Sequence, residues 1–449
     1  MNDFIAGDRK DSVTRLSRRE LLAATLATTG VASLATPADA FAQGIEPPAS
    51  SRELWQWVRT QPVLDTQIAY LDSATVTPTW RVSMATEYRA RESQSFDIAS
   101  AGSEARWIAE TKRLAARFAA FGGCDADEIV FTHGAGEALS SVANGLDLVA
   151  GDEVITTSQE HPASLSSWLF LARRRGIVVK QVDLPTPLTG PEQVLGLFAG
   201  AVTPRTRVFA FSHVQYGDGA LLPAKELAQF ARQRNIFSVV DGAQAFGMLD
   251  LNLRDLGCDF YAASFHKWLG GCQGSGMLYV RREVLDRLWP SQPRGIDASP
   301  PIFVPAESIA QAGVPATIHK LGNVVPHLWP ALRGGEAALD MHAQLNRPRI
   351  EARVRELAIY ARLRLQQIKG IELMTPGRPG LWAGILTVRA PGRAASEIAD
   401  TLARVHRVLV RRLDWPGTTE GALRISMHIF NSHDDVERLL NGLQLLVRK

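Results

Sequence analysis

The sequence predicts an α/β protein with a mostly parallel, seven-stranded sheet in a large domain and a smaller α+β domain at the C-terminal end. Short apolar runs alternate with amphipathic segments between residues 104 and 280, as strands and helices alternate around a parallel sheet. Several of these runs are β-branched or aromatic without polar alternation, which is typical of strands buried on both faces. From about Pro326 the pattern changes to long helical segments that bracket two strand-like runs.

The composition limits the classes of protein that the chain can form. Its 449 residues, 46% hydrophobic and 21% charged, suit two or three folded domains and exclude a disordered chain or a disulfide-dense miniprotein. The net charge of +3 is too weak to indicate a nucleic-acid partner. The three cysteines, Cys124, Cys258 and Cys272, are odd in number and lack metal-ligand spacing, so neither a complete disulfide framework nor a metal site is expected.

The N-terminal residues are typical of an export signal. A polar, basic start is followed by the string SRRELL at residues 17–22, a short apolar stretch, and Ala40-Phe41-Ala42 as a cleavage site. This order is that of a secretory signal, and its paired arginines resemble a twin-arginine signal. The apolar stretch is shorter than the roughly 20 residues that span a bilayer. We therefore expect the twin-arginine (Tat) machinery to export the protein to the periplasm or beyond, without a membrane anchor in the mature form.

The remaining sequence is divided by its pattern into three parts. Residues 43–95 form a linker and N-terminal segment, 96–325 the large domain and 326–449 the small domain. The strands predicted for the large domain are Ile129–Phe131, Glu153–Thr156, Val178–Val182, Val208–Phe211, Phe237–Asp241, Phe260–Ala263 and Met277–Val280. The helices predicted between them are Glu104–Phe121, Glu137–Leu148, Leu165–Arg174, Glu192–Ala201 and Lys225–Arg234. For the small domain we predict helices Pro330–Leu345, Ile350–Ile368, Ser396–Val405 and Asp434–Val447, with strands Gly384–Val388 and Leu423–Met427.

Four short patterns at predicted strand ends carry residues that can perform chemistry. They are FTHGAGEA at 131–138, EHP at 160–162, DGAQ at 241–244 and SFHK at 264–267. A glycine-containing turn before a helix offers backbone N–H groups to a phosphate, and strand-end side chains lie where open α/β sheets bind ligands. Each pattern alone has an ordinary explanation: a turn, a structural histidine, an Asx-turn and a solvated lysine.

Together the patterns match the needs of pyridoxal phosphate. A lysine forms a Schiff base with its aldehyde, an aspartate keeps its pyridine nitrogen protonated, and the glycine turn with a Ser/His pair holds its phosphate. On these motifs the chain resembles the class V aminotransferase-like family of fold type I pyridoxal-phosphate enzymes, over residues 65–449. The resemblance implies Lys267 as the Schiff-base lysine and Asp241 as the partner of the pyridine nitrogen. It also implies that Gln244 contacts the ring hydroxyl.

The resemblance assigns further roles around the ring and the substrate. His161 would stack on the ring and assist proton transfer, and Tyr216 would lie beside the ring. Arg424, in the string RISMHIFNS at 424–432, would clamp the α-carboxylate of an amino-acid substrate.

The phosphate would be held from both subunits of a dimer. Its ligands in one subunit would be Ser264, His266 and the N–H groups of Ala135 and Gly136. Asn323 would reach the phosphate from the other subunit, so the resemblance implies a homodimer with shared sites.

The branch within the family is indicated by departures from the pattern as much as by matches. Cysteine desulfurases need a nucleophilic cysteine on a loop before Arg424, but no cysteine follows Cys272. The string HKWLGG at 266–271 resembles the isopenicillin N epimerase-like branch, so we expect an epimerase or racemase with Tyr216 or His161 as a second acid. An aminotransferase, a C–S or β-elimination lyase and a non-catalytic periplasmic binding protein for amino compounds remain open alternatives.

Overall fold

The computed structural model describes residues 51–97, 103–291, 317–321 and 328–447. The predicted export signal, Asn323 and the boundary at residues 325/326 lie outside the described residues. The α-helices are α1 Ser51–Arg59, α2 Arg81–Asp97, α3 Ser103–Gly122, α4 Ala135–Gly145, α5 Pro162–Arg175, α6 Pro191–Ala201, α7 Ala224–Arg232, α8 Leu253–Leu256, α9 Trp329–Leu345, α10 Arg347–Leu365, α11 Ala395–His406 and α12 His433–Val447.

The strands fall into a large sheet, a small sheet and a short pair. They are β1 Ala69–Tyr70, β2 Ile129–Thr132, β3 Glu153–Thr157, β4 Val178–Val182, β5 Thr206–Ser212, β6 Phe237–Asp241, β7 Phe260–Ser264, β8 Gly276–Val280, β9 Glu372–Leu373, β10 Ile385–Arg389, β11 Val408–Leu409, β12 Arg411–Leu413 and β13 Ala422–Ser426. The large sheet has seven strands in the order β2-β8-β7-β6-β5-β3-β4. Strand β8 is antiparallel to both neighbours and the other pairs are parallel. The predicted fold class is thereby confirmed.

The central strands of the large sheet are buried on both faces, whereas the edge strand β4 is partly exposed. Along β6, Val240 packs in one apolar cluster and its neighbour Val239 packs in another. Successive residues of a strand point to opposite faces, so each face of this strand carries its own core. This burial explains why the apolar runs in the sequence show no polar alternation, and it leaves the strand ends as the places where polar side chains gather.

The small sheet is antiparallel, with the strand order β12-β13-β10-β9. Its apolar face packs with residues of α10, α11 and α12, among them Leu357, Ile398 and Leu439. The N-terminal segment also joins this part of the molecule: β1 pairs in parallel with β11, and Asp72 bridges to Ser426. Residues far apart in the sequence are therefore brought beside β13.

Helix α2 runs across the boundary predicted after residue 95 and packs along α9. The two helices approach closely at Gly334, where a Cβ atom would lie 2.3 Å from the Cys272 Sγ and 2.8 Å from the Ser83 carbonyl oxygen. Cys272 is thus a buried packing residue at this contact. Within the described ranges, no helix has the length and apolar character needed to cross a membrane.

Candidate active site

One cavity of about 540 Å³ contains all of the predicted site residues that the structure describes. It opens at the carboxyl ends of β3, β5, β6 and β7, against the small sheet. The predicted residues that line it are Ala135, Gly136, His161, Tyr216, Asp241, Gln244, Ser264, His266, Lys267 and Arg424. The topology therefore brings together ten predicted residues from six separate segments of the chain. Asn323 alone of the predicted set lies outside the described residues.

The start of α4 forms an anion cradle. Gly134 precedes this helix with φ of 153°, a conformation that favours glycine, and it has no side chain with which to cap the helix. The Ala135 N–H donates to the Ser264 Oγ at 3.0 Å. The first N–H groups of a helix lack intrahelical partners and carry partial positive charge, so this end of the cavity suits a phosphate.

His266 adds a side-chain donor to this end of the cavity. Its Nδ1 is buried and has no hydrogen-bond partner among the described residues. Burial, helped by the charge of Lys267, lowers the pKa of His266 to about 4. A neutral imidazole with an unpartnered ring nitrogen can donate to a phosphate oxygen.

Lys267 lies beyond the end of β7 and faces Asp241 at the end of β6. Its Nζ makes no hydrogen bond or ion pair within the part of the chain that the structure describes. Burial lowers the pKa of Lys267 to about 8, although the charge of Asp241 opposes the shift. A buried amine with this pKa is partly neutral near pH 8 and can attack an aldehyde.

Asp241 lies at the end of β6, and one of its carboxylate oxygens already accepts a hydrogen bond. It is 7% exposed, and its Oδ1 accepts the Ala243 N–H at 3.0 Å. Its second carboxylate oxygen has no hydrogen-bond donor among the described residues, so it is free to accept a proton donor placed in the cavity, such as a protonated pyridine nitrogen.

His161 caps helix α5 with its side chain. Its Nδ1 accepts the Ala163 N–H at 3.1 Å. Burial and then the charge of Lys267 lower the pKa of His161, so the ring is neutral at neutral pH. With Nδ1 accepting, the proton of the neutral ring sits on Nε2. The ring meets that of Tyr216 edge to face, with centroids 5.0 Å apart.

Glu160 links the ends of β3 and β5, the strands that precede His161 and Tyr216. Its carboxylate is fully buried and accepts hydrogen bonds from the Thr157 hydroxyl at 2.7 Å and the Ser212 hydroxyl at 2.5 Å. Burial raises the pKa of Glu160 to about 7. From the sequence, Glu160 is part of the EHP string without a role of its own. In the structure, its hydrogen bonds join the ends of β3 and β5.

Arg424 is buried on β13 and is held by three partners. Its Nη2 donates to the Asp72 Oδ1 at 2.9 Å and to the Thr75 Oγ1 at 2.5 Å, and its Nη1 donates to the Tyr216 carbonyl at 3.2 Å. Its Nε is buried without a partner in the described parts of the chain. Burial lowers the pKa of Arg424, and the carboxylate of Asp72 opposes that shift. Sequence reasoning did not identify Asp72 or Thr75 as site residues.

Gln244 is oriented by two neighbours before any ligand binds. Its Nε2 donates to the Ala74 carbonyl at 2.8 Å, and its Oε1 accepts the Trp268 indole N–H at 2.8 Å. These contacts fix which end of the amide carries nitrogen and leave one N–H for the cavity.

The donor set fits pyridoxal phosphate. The start of α4 and His266 suit the phosphate, the unpartnered amine of Lys267 suits the aldehyde, and the free oxygen of Asp241 suits the pyridine nitrogen. No group of three or more histidine, cysteine or acidic residues in the described chain is arranged to hold a metal ion.

Comparison with known proteins gives the same assignment. The Aminotransferase class-V family model matches residues 69–439. Isopenicillin N epimerase of Amycolatopsis lactamdurans is 34% identical over 345 residues, which cover 74% of this chain and 83% of that enzyme. A probable cysteine desulfurase of Pseudomonas putida is 33% identical over 345 residues, or 72% of this chain and 80% of that protein. The apo structure of a cysteine desulfurase from Thermococcus onnurineus superposes with a TM-score of 0.77 at 23% identity, over 88% of this chain and 98% of that one.

Proposed function

Because the chain belongs to the aminotransferase class-V family, we propose that it epimerises or racemises an amino acid or an amino-acid-like compound. It is a pyridoxal-phosphate-dependent enzyme. The main supporting observation is that two groups able to transfer protons, Lys267 and Tyr216, border one cavity from the segments that follow β7 and β5. Inversion at a carbon atom needs one group to remove a proton and another to return it on the opposite side.

The cofactor would be held at the large-sheet side of the cavity. Ser264, His266 and the N–H groups of Ala135 and Gly136 would bind its phosphate. Asp241 would hold the pyridine nitrogen in its protonated form, and Gln244 would offer its remaining N–H to the ring hydroxyl. When bound, pyridoxal phosphate supplies an electron sink for negative charge at the substrate Cα.

Lys267 is the proposed base at the substrate Cα. Its lowered pKa of about 8 brings its amine close to the pH range in which a general base is most effective. The carboxylate of Asp241 keeps the amine in the cavity, because opposite charges attract whenever Lys267 is protonated.

Tyr216 is the proposed second acid, in preference to His161. The Nδ1 of His161 is occupied by the Ala163 N–H, and the lowered pKa keeps that ring neutral. The Tyr216 hydroxyl has no hydrogen-bond partner among the described residues, and its ring packs against the ring of His161. His161 is therefore better suited to fix the position of Tyr216 and of the cofactor than to exchange protons.

Arg424 would bind the substrate α-carboxylate from the small-sheet side. Its guanidinium lines the cavity, and the Asp72 carboxylate holds it in place. Cysteine desulfuration is disfavoured because no cysteine is present in the loop before Arg424, where the sequence reads VRRLDWPG at 410–417.

The holoenzyme can be tested with a panel of D- and L-amino acids, followed by visible absorbance and chiral chromatography. We expect the opposite enantiomer, or the epimer, to accumulate from at least one substrate. The Tyr216→Phe variant should invert at least 100-fold more slowly while it keeps the visible absorbance band. Formation of a keto acid, or of ammonia with loss of a substituent, would instead support the aminotransferase or the lyase.

The possibility of a non-catalytic binding protein is tested by the same spectra. A visible band that is present in the wild type and absent from Lys267→Ala supports an enzyme. Protein that stays colourless after loading with pyridoxal phosphate supports a binder and contradicts the proposal.

Two further parts of the proposal concern the cell and the assembly. The SRRELL string supports export by the twin-arginine route, and the position of Asn323 in the sequence supports a homodimer. Fractionation of cells that express the wild type or an Arg18→Lys/Arg19→Lys variant tests the first part, and light scattering of the holoenzyme tests the second.

A further inference from the structure

Strand β12 places a second arginine directly opposite Arg424. In the antiparallel pairing of β12 with β13, Arg411 is the register partner of Arg424. Both residues line the cavity, together with Arg412. Directly opposite residues of an antiparallel pair have Cβ atoms about 5 Å apart, and like charges in this position are destabilising. An anion between or beside the two guanidinium groups would relieve this repulsion.

The three arginines differ in their ion pairing. Arg424 is paired with Asp72, whereas Arg411 and Arg412 are exposed and form no ion pair within the described part of the chain. The charge of Arg411 also contributes to the lowered pKa of Arg424, which is consistent with an unbalanced positive charge at this wall. Asp414 lines the cavity too, but it follows the end of β12 and forms no ion pair with Arg411 or Arg412.

The cofactor phosphate does not account for this positive charge. Its proposed ligands lie at the start of α4 and at the end of β7, on the large-sheet side of the cavity. Arg411 lies on strand β12 of the small sheet. The α-carboxylate of the substrate would contact Arg424. Arg411, which forms no ion pair among the described residues, then remains available to a second anion.

We propose that Arg411, flanked by Arg412, binds a second acidic group of the substrate, so that the preferred substrates are amino acids whose side chain carries a carboxylate. This inference rests on the proposed function, because it concerns the substrate of the same site. A guanidinium at the cavity mouth binds such a carboxylate through two parallel hydrogen bonds.

Glutamate and glutamine are the matched probes, since they differ by a charged or a neutral group at the same place. Their dissociation constants for the holoenzyme are measured by absorbance titration, for both enantiomers. We expect glutamate to bind at least tenfold more tightly than glutamine. This ratio should fall to about one in Arg411→Gln and be partly kept in Arg411→Lys. Arg404→Gln removes the same charge from an exposed position on helix α11, outside the cavity, and should leave the ratio unchanged.

The outcomes separate this inference from the proposed function. A wild-type ratio near one, or the same ratio in Arg411→Gln as in the wild type, overturns the inference. So does a change of oligomeric state in Arg411→Gln with equal loss of both ligands, because Arg411 would then serve a subunit contact. If glutamate is preferred through Arg411 but no amino acid exchanges its Cα proton with solvent, the inference stands and the epimerase proposal fails.

Discussion

Replacing Asp72 with alanine should have opposite effects on stability and on ligand binding. Asp72 is the carboxylate that balances the buried guanidinium of Arg424, and it also takes up one N–H of the Nη2 atom. Its removal leaves a buried cation without its anion, which destabilises the fold. It also frees that N–H for the carboxylate of an amino acid, which strengthens binding.

The size of both effects follows from the burial of the pair. The side chains are 4% exposed for Arg424 and 15% for Asp72, and breaking a buried pair by removing one partner costs about 3–5 kcal/mol. The Thr75 hydroxyl and the Tyr216 carbonyl still accept hydrogen bonds from Arg424, so we expect the lower end, about 3 kcal/mol. One freed charge-assisted hydrogen bond should tighten amino-acid binding roughly tenfold, or about 1.4 kcal/mol.

The stability effect is measured by urea unfolding of the holoenzyme, in a cycle with Arg424→Leu and the double variant. Arg424→Leu removes the buried charge, so the double variant should be destabilised by less than the sum of the two single variants. The binding effect is measured by titrating each variant with glutamine. If Asp72→Ala loses less than 1 kcal/mol, or if glutamine binds more weakly to it than to the wild type, Asp72 does not balance Arg424 as argued.

Three further predictions concern titrating groups of the site. The rate at which the apoenzyme binds pyridoxal phosphate should rise with pH around pH 8, the pKa of Lys267, because only the neutral amine is nucleophilic. Stopped-flow data with a midpoint near the ordinary lysine pKa of 10.5 would contradict this prediction. In ¹⁵N NMR spectra, His161 should be neutral with its proton on Nε2. The Ala163→Pro variant lacks the N–H that donates to Nδ1, so the pKa of His161 should be higher in this variant. The folded-state pKa of Glu160, about 7, exceeds the ordinary 4.5, so the folded protein binds the extra proton between these values. The stabilisation that Glu160 contributes should therefore fall by up to about 3 kcal/mol as pH rises from 4.5 to 7. It is measured as the difference in unfolding free energy between the wild type and Glu160→Gln at each pH, because buried histidines such as His213 and His342, whose pKa values are lowered, change the wild-type value in the opposite direction.

The large sheet and the cofactor end of the site could be predicted because their signals are local. Each buried strand is a short apolar run, and the chemically active residues lie at or just beyond its end, as with Asp241 at the end of β6 and Lys267 after β7. Parallel strands end at a common edge, so residues that share this position meet in space. The prediction therefore needed the order of the elements and not their side-chain contacts.

The substrate end could not be predicted in the same way, because its contacts join distant parts of the chain. Asp72 and Arg424 are 352 positions apart, and they meet only because β1 pairs with β11 and Asp72 bridges to Ser426. The opposition of Arg411 and Arg424 depends on the register of β12 against β13, which the intervening loop sets. The cap formed by His161 is local, but no sequence pattern distinguished it from an ordinary strand-end histidine.

The most direct test of the proposed inversion is the fate of the Cα hydrogen in D₂O. Each enantiomer of a turned-over amino acid is incubated with holoenzyme, and both enantiomers are separated and analysed by mass spectrometry early in the reaction. Exchange by two groups, Lys267 and Tyr216, predicts that the product enantiomer carries deuterium at Cα while the remaining substrate is still unlabelled. Deuterium in the substrate without any formation of the opposite enantiomer or epimer would contradict the account.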